Sequence, residues 1–260
     1  MKRFFALSLA LICMFSTLLL TSCNETAYQL YTDGVKELTN ATAMDAKMTV
    51  AMTMNAGSTS NQNSSVMNIE TNGNDMAITS DTMDLTYVGG VVYMNLKLGE
   101  FSSKTKITAT VEEAKKLSAD YTIETDELFP ALTEKDLENV TVEKNGDKRT
   151  ISADLSETAV KKLSDKFSGS MTGGLQEENA PAVTVSDVKM TVSFDKAGHI
   201  VDFSLKFNMA THVLGTDVSM SIDLKMEINA INGSVSITAP ADAADYEEIS
   251  PDDSDEEPEV

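Results

Sequence analysis

Asp217-Val-Ser-Met-Ser-Ile-Asp-Leu-Lys-Met-Glu-Ile-Asn-Ala230 alternates without a break. Val218, Met220, Ile222, Leu224, Met226 and Ile228 fall on one side, and Asp217, Ser219, Ser221, Asp223, Lys225, Glu227 and Asn229 on the other. A strict period of two with one apolar face marks an antiparallel strand that is wet on one side. The same pattern recurs upstream. Val201, Phe203, Leu205, Phe207 and Met209 alternate with Asp202, Ser204, Lys206 and Asn208. Val188, Met190, Val192 and Phe194 alternate with Lys189, Thr191 and Ser193. Near the start, Met44, Ala46, Met48, Val50, Met52 and Met54 share a face.

Turn residues separate these runs. Asn145-Gly146 reads as a tight hairpin between Val140–Val142 and Ile151–Ala153, and Asp195 to Gly198 joins the Val188 and Val201 runs. Gly89-Gly90 reads as a hairpin or a bulge, and the polar stretch Gly57 to Ser65 as the link between the first two strands. Helical signals are short. Thr26 to Leu38 has apolar residues at helical spacing, weakened by Asp33-Gly34. Thr110 to Glu113 is a capping box, Thr133 to Asp136 a lesser one, and Glu157 to Phe167 is amphipathic. Ser168 to Ala182 reads as a flexible loop.

The fold class that follows is α+β: a long curved antiparallel sheet, or half-barrel, with a few short helices over its concave face. Strands of ten or more residues exceed the usual length of about five or six and must coil. The helices are few for so wide an apolar face. That leaves two outcomes open, a cavity for a long apolar ligand or a filled core. If a cavity forms, Met48, Val50, Met52, Met54, Phe203, Leu205, Phe207, Met220, Ile222, Leu224 and Met226 are the residues to line it. Methionine is frequent among them, and unbranched thioethers repack around ligands of varied shape.

Charge narrows the partners. Twenty Lys and Arg stand against 41 Asp and Glu, for a net charge of −21. Arg3 and Arg149 are the only arginines. Nucleic acid is excluded as a partner, since phosphate binding needs clustered basic residues. Two cysteines and two histidines leave no material for a thiol or imidazole metal site, and no cofactor is expected. No nucleophile elbow, phosphate loop, His-Glu-x-x-His or paired-Cys motif occurs, so we expect a protein that is not an enzyme and works as a monomer.

The N-terminus carries the most specific motif. Lys2 and Arg3 precede the apolar run Phe4 to Leu20, which ends in Leu20-Thr-Ser-Cys23. Basic flank, apolar stretch and small-residue site in that order read as a secretory signal. Leu20, Thr21, Ser22 and Cys23 resemble the lipobox of bacterial lipoproteins at every position. The resemblance implies cleavage between Ser22 and Cys23, a diacylglyceryl thioether on Cys23, and acylation of the new amino terminus by a chain such as palmitate. It further implies a location on the outer face of the bacterial cell membrane, held there by that lipid. Removing Lys2 and Arg3 with the signal leaves 18 basic residues against 41 acidic, a net charge of −23. Three segments follow: a signal at 1–22, one domain over 23–249, and an acidic disordered tail at 250–260.

Beyond the anchor, the chain resembles the LppX/LprAFG and LolA-like superfamily of envelope lipoproteins and carriers. The matching features are the helix before the Met-rich strand Ala43 to Asn55, Tyr87-Val-Gly-Gly-Val-Val-Tyr93, the three alternating runs from Val188 to Asn229, and the closing Ile237-Thr-Ala-Pro240. The family often carries a Trp after its Gly-x-Tyr segment, where this chain has Leu98-Gly-Glu-Phe101. The resemblance implies a half-barrel that holds a lipid or acyl chain between sheet and helices. The alternative is a non-catalytic surface or structural lipoprotein with a filled core.

Overall fold

Thr26 caps the first described helix. Its hydroxyl accepts the Gln29 N–H at 3.1 Å, and its own N–H donates to Gln29 Oε1 at 3.0 Å. Helix α1 then runs Ala27–Thr39 and buries Leu30, Tyr31, Gly34 and Leu38 along one face. Burial of the three large side chains is worth about 1.5–3 kcal/mol each, which outweighs the helix cost of about 1 kcal/mol at Gly34. Packing, more than propensity, holds this helix. These details come from a computed structural model that describes residues 26–114, 132–162, 164, 183–213 and 216–249. The signal with Ser22 and Cys23, the loop 168–182 and the acidic tail 250–260 lie outside the described residues.

Among the described residues twelve strands follow: β1 Ala43–Ala56, β2 Thr59–Asn72, β3 Asp75–Ser80, β4 Met83–Val88, β5 Val91–Leu98, β6 Phe101–Thr108, β7 Leu137–Asn145, β8 Lys148–Leu155, β9 Val183–Phe194, β10 Ile200–Val213, β11 Thr216–Ile231 and β12 Glu247–Glu248. They form one open sheet in the order β12-β6-β5-β4-β3-β2-β1-β11-β10-β9-β8-β7. Apart from the edge strand β12, each half is a run of antiparallel neighbours, and the halves join where β1 pairs with β11. There the apolar positions meet in register: Met48 opposite Met226, Met52 opposite Ile222, Met54 opposite Met220. The α+β class, with a long open antiparallel sheet and few short helices, is as the alternation predicts.

Three details differ from the sequence reading, and one alternative it left open, at Gly89-Gly90, is decided. The polar stretch after Gly57 is strand, because β2 begins at Thr59 after a two-residue turn and pairs with β1 along its whole length. Residues 59–65 are exposed on both faces, so they carry no alternation to reveal them. Gly89-Gly90 resolves as a hairpin turn, with φ of 61° and 83°, the left-handed values such turns require. Thr133 leads into only a single 3-10 turn, Glu134–Asp136. Finally, β12 pairs parallel to β6, which makes the sheet mixed at one edge.

The strands run between two ends. At one, which we term the strap end, α1 finishes, β1 begins and β11 finishes. The chain then crosses this end towards β6. Thr42 N–H donates to Asn232 Oδ1 at 2.8 Å, and Asn72 Nδ2 donates to the Val235 carbonyl at 2.8 Å. Lys104 pairs with Asp242 at 2.5 Å, and the Ile249 N–H donates to the Lys106 carbonyl at 3.0 Å. Tyr246 is buried edge-on against Tyr93, with ring centroids 5.4 Å apart. The opposite, rim end carries the turn at 57–58 and the start of β9; the turn at 99–100 faces the same way but stops short of it, since Leu96 aligns through Met83, Ser80 and Met67 with Met48.

Two apolar clusters cover one sheet face. The larger packs α1 over β1 and β8 to β11, with Tyr31, Phe194, Phe203, Met190 and Met226 at its centre. The smaller joins Ile78, Met83, Leu85, Tyr87 and Val92 to Ala109 and Ala114, the last in the helical turn at 111–114. That turn is the capping box read from the sequence: Glu113 N–H donates to Thr110 Oγ1 at 3.3 Å, and Thr110 N–H to Glu113 Oε2 at 2.8 Å. The helix predicted over 157–167 is present at 157–162; beyond that only residue 164 is described.

Candidate functional site

The apolar face of β1 and β11 changes character along its length, while that of β10 stays buried from Phe203 to Met209. On β1, Met48 is 3% exposed, Val50 and Met52 are half-buried, and Met54 is 36% exposed. On β11, Met226 and Leu224 are buried, whereas Ile222, Met220 and Val218 are half-buried. Because β1 and β11 are paired in register, these gradients run together towards the rim end. The face therefore passes from packed core to a partly open strip lined by methionine and isoleucine. On β2 the same face presents Asn61, Asn63 and Ser65, opposite Met54, Met52 and Val50, as a polar border.

The eleven residues expected to line a cavity divide accordingly. Met48, Phe203, Leu205, Phe207, Leu224 and Met226 are buried within the larger cluster. Val50, Met220 and Ile222 are half-buried and pack against it. Met52 and Met54 lie beyond it, towards the rim. A concavity of about 480 Å³ also involves this region, lined by Ala51, Met52, Thr53, Gln62, Ser64, Ser221 and Asp223 among others. Most of these residues belong to the opposite, polar face, so the hollow is wide open and offers no apolar enclosure.

Sequence reasoning did not single out two apolar residues of the same face. Leu98 and Phe101 flank the turn between β5 and β6, sit opposite each other in the ladder, and are 64% and 63% exposed. They continue the line of Val92, Met94 and Leu96, whose side chains belong to the smaller cluster. The signal was present in the alternation of β5, which keeps its apolar parity through Leu98.

The titratable groups serve structure. His199 bridges α1 to the β9–β10 turn, with Nε2 3.1 Å from Glu37 Oε1 and Nδ1 3.1 Å from Asp195 Oδ2. Asp195 Oδ1 accepts the N–H groups of Ala197, Gly198 and His199 at 2.8–2.9 Å. Burial alone would raise the Asp195 pKa, but these hydrogen bonds and the His199 ring together hold it below the usual carboxylate range. Burial pushes the Tyr31 hydroxyl well above the ordinary phenol value, with Tyr28 adding to the shift. His212 contacts Asp217 at 2.7 Å on an exposed surface. Among the described residues no group of three or more His, Cys, Asp or Glu side chains could hold a metal ion. No helix among them is long and apolar enough to cross a membrane.

No protein-family model matches the chain, and no curated protein does. Among solved structures, the chain is similar to the LolA superfamily protein NE2245 from Nitrosomonas europaea. Identity is 11% over 79% of this chain and 94% of that one, with a TM-score of 0.24. It is also similar to a DUF1329 family protein from Desulfovibrio piger ATCC 29098, at 11% identity over 80% and 93% and a TM-score of 0.21. Likenesses this slight carry no argument; the strand order and register carry the fold.

Proposed function

We propose that this protein is a lipid-anchored, extracytoplasmic and non-catalytic binder of a lipid or other apolar ligand, held to the bacterial cell membrane through Cys23. The observation that carries the reading is the apolar strip of β1 and β11, which leaves the packed core and reaches the rim half-exposed. Exposed apolar strips with a polar border are uncommon unless something covers them. Methionine at Met52, Met54 and Met220 suits an occupant of variable shape. The anchor rests on the lipobox resemblance of Leu20-Thr-Ser-Cys23.

Uptake of a fluorescent fatty acid tests the site. Ile222→Asp and Met52→Asp place a carboxylate on the strip and should abolish uptake. Thr53→Asp, on the opposite face, should leave it unchanged. Equal uptake by all three variants removes the strip from the account. A second reading, a structural or interaction module with a filled core, draws on the six expected lining residues that are already packed together. It predicts no uptake by any form.

A further inference from the structure

We propose that Asn145 is a site of spontaneous deamidation and isoaspartate formation, and that the fold shields the two other Asn-Gly pairs of the chain from the same reaction. Asn-Gly occurs at Asn72-Gly73, Asn145-Gly146 and Asn232-Gly233. The chemistry is local to each pair. At Asn145 the main-chain nitrogen of Gly146, having given its proton to hydroxide, attacks Cγ of the carboxamide and closes a five-membered imide. The Cγ–Nδ2 bond breaks, and the nitrogen takes a proton from water and leaves as ammonia. Water then adds to either imide carbonyl and opens the ring. One opening leaves aspartate in the normal main chain; the other leaves isoaspartate, with the chain running through Cγ. Water is consumed, ammonia is released and nothing is oxidised. Glycine as the next residue favours closure, because no Cβ crowds the attacking nitrogen.

In sequence the three pairs are alike, and their hydrogen bonds set them apart. All three asparagines are exposed. At Asn72, Nδ2 donates to the Val235 carbonyl at 2.8 Å. The nitrogen that would attack there is also engaged, since the Gly73 N–H donates to the Thr42 carbonyl at 2.7 Å. At Asn232, Oδ1 accepts the Thr42 N–H at 2.8 Å and the Thr42 hydroxyl at 3.2 Å, and the Asn232 N–H donates to the Ala43 carbonyl at 2.7 Å. Turning either carboxamide onto the following nitrogen breaks bonds that hold the strap end together. Neither the Asn145 carboxamide nor the Gly146 N–H is hydrogen-bonded to a described residue.

The position of Asn145 lowers the barrier further. It closes the β7–β8 ladder opposite Lys148, ahead of Gly146 with φ of 62°. Strand β7 is the outermost of the sheet, residues 138–148 are all exposed, and none of them belongs to either apolar cluster. Opening the tip so that the Gly146 nitrogen reaches Cγ disrupts only the last ladder pairs, and such openings lie at the low end of the range of local stabilities. The product is tolerated for the same reason. A carboxylate at 145 is solvated, and the extra main-chain atom of isoaspartate falls beside a turn outside the core. At position 72 a carboxylate would instead face the Val235 carbonyl.

Ageing the purified full chain in mildly alkaline buffer tests this, with peptide mapping by mass for the exchange of NH2 for OH and enzymatic carboxyl methylation to count isoaspartate. In the folded chain both signals should appear at 145 at least about tenfold faster than at 72 or 232. In the chain unfolded in urea the three rates should converge. Asn145→Gln, whose longer side chain closes a less favourable ring, should lose the hairpin signal and leave positions 72 and 232 slow. Equal rates at the three sites of the folded chain overturn the proposal. So does a folded chain that keeps its amide at 145 while the unfolded chain loses it, since the hairpin then shields as well as the strap does. A preference for 145 that persists unchanged in urea places its cause in the neighbouring sequence and overturns the role given to the fold.

Discussion

Gly34 sets how closely α1 lies on the sheet. A Cβ built there would sit 2.8 Å from both Ile200 Cγ1 and Phe194 Cε1, and both side chains are fully buried. Ala is the better helix former by about 1 kcal/mol, but overpacking a close-packed site costs about 1–3 kcal/mol. Gly34→Ala should therefore lower the urea midpoint; a raised midpoint would show that α1 can lift from β9 and β10 freely. Asp136 is a second residue with a structural task. Its buried carboxylate accepts the Thr133 N–H and hydroxyl, each at 2.8 Å, and lies 3.6 Å from Lys162. The backbone hydrogen bond from Thr133, foremost, holds its pKa below the usual range. A depressed folded-state pKa contributes stability that is present above the unfolded value of about 4 and is lost as pH falls through the folded one. Asp136→Asn should cost about 1 kcal/mol at neutral pH. Denaturation at pH 7 and pH 3 should show that gap shrinking in acid, and a gap independent of pH would contradict the assignment.

Single strands show that sharing a face is distinct from sharing a depth. Met48 and Met54 have the same parity on β1, yet one is in the core and the other at the rim. Met48→Asp buries an unpaired charge and should cost about 3 kcal/mol or more. Met54→Asp should stay within about 0.5 kcal/mol. Chemical denaturation of the two variants checks this, and similar losses would mean that the strip is packed throughout. Period two revealed β1, β9, β10 and β11 because one face of each is buried in part. It could reveal parity but not how far along a strand the cover extends. It failed for the first half of β2, which is wet on both sides and defined only by pairing with β1. On β9 it located the run from Val188 but not the irregularity at Asp187, where φ is 52° and the register with β10 shifts.

At the scale of the molecule, the order of the strands was legible only in part. Hairpins follow from turns such as Gly89-Gly90, but the central pairing of β1 with β11 joins residues far apart in sequence and leaves no local signal. The strap is hidden for a similar reason. Acidic residues from Asp242 onward suggest solvation, whereas Asp242 pairs with Lys104 and Tyr246 is buried on Tyr93. Gly34, read as a weak point of the helix, is a point of contact, and Leu98 and Phe101 drew notice only as the place where the resembled family carries a Trp. The candidate site was legible as a face and not as a place: the eleven residues share the right side of the sheet but span core, margin and rim. The central claim is that the open strip holds an apolar ligand. Organic extraction and mass spectrometry of the chain purified from its own membrane test it most directly. The account predicts a copurifying lipid in stoichiometric amount, separate from any group on Cys23 and depleted in Ile222→Asp. A chain that carries no lipid and takes up no fatty acid would contradict it.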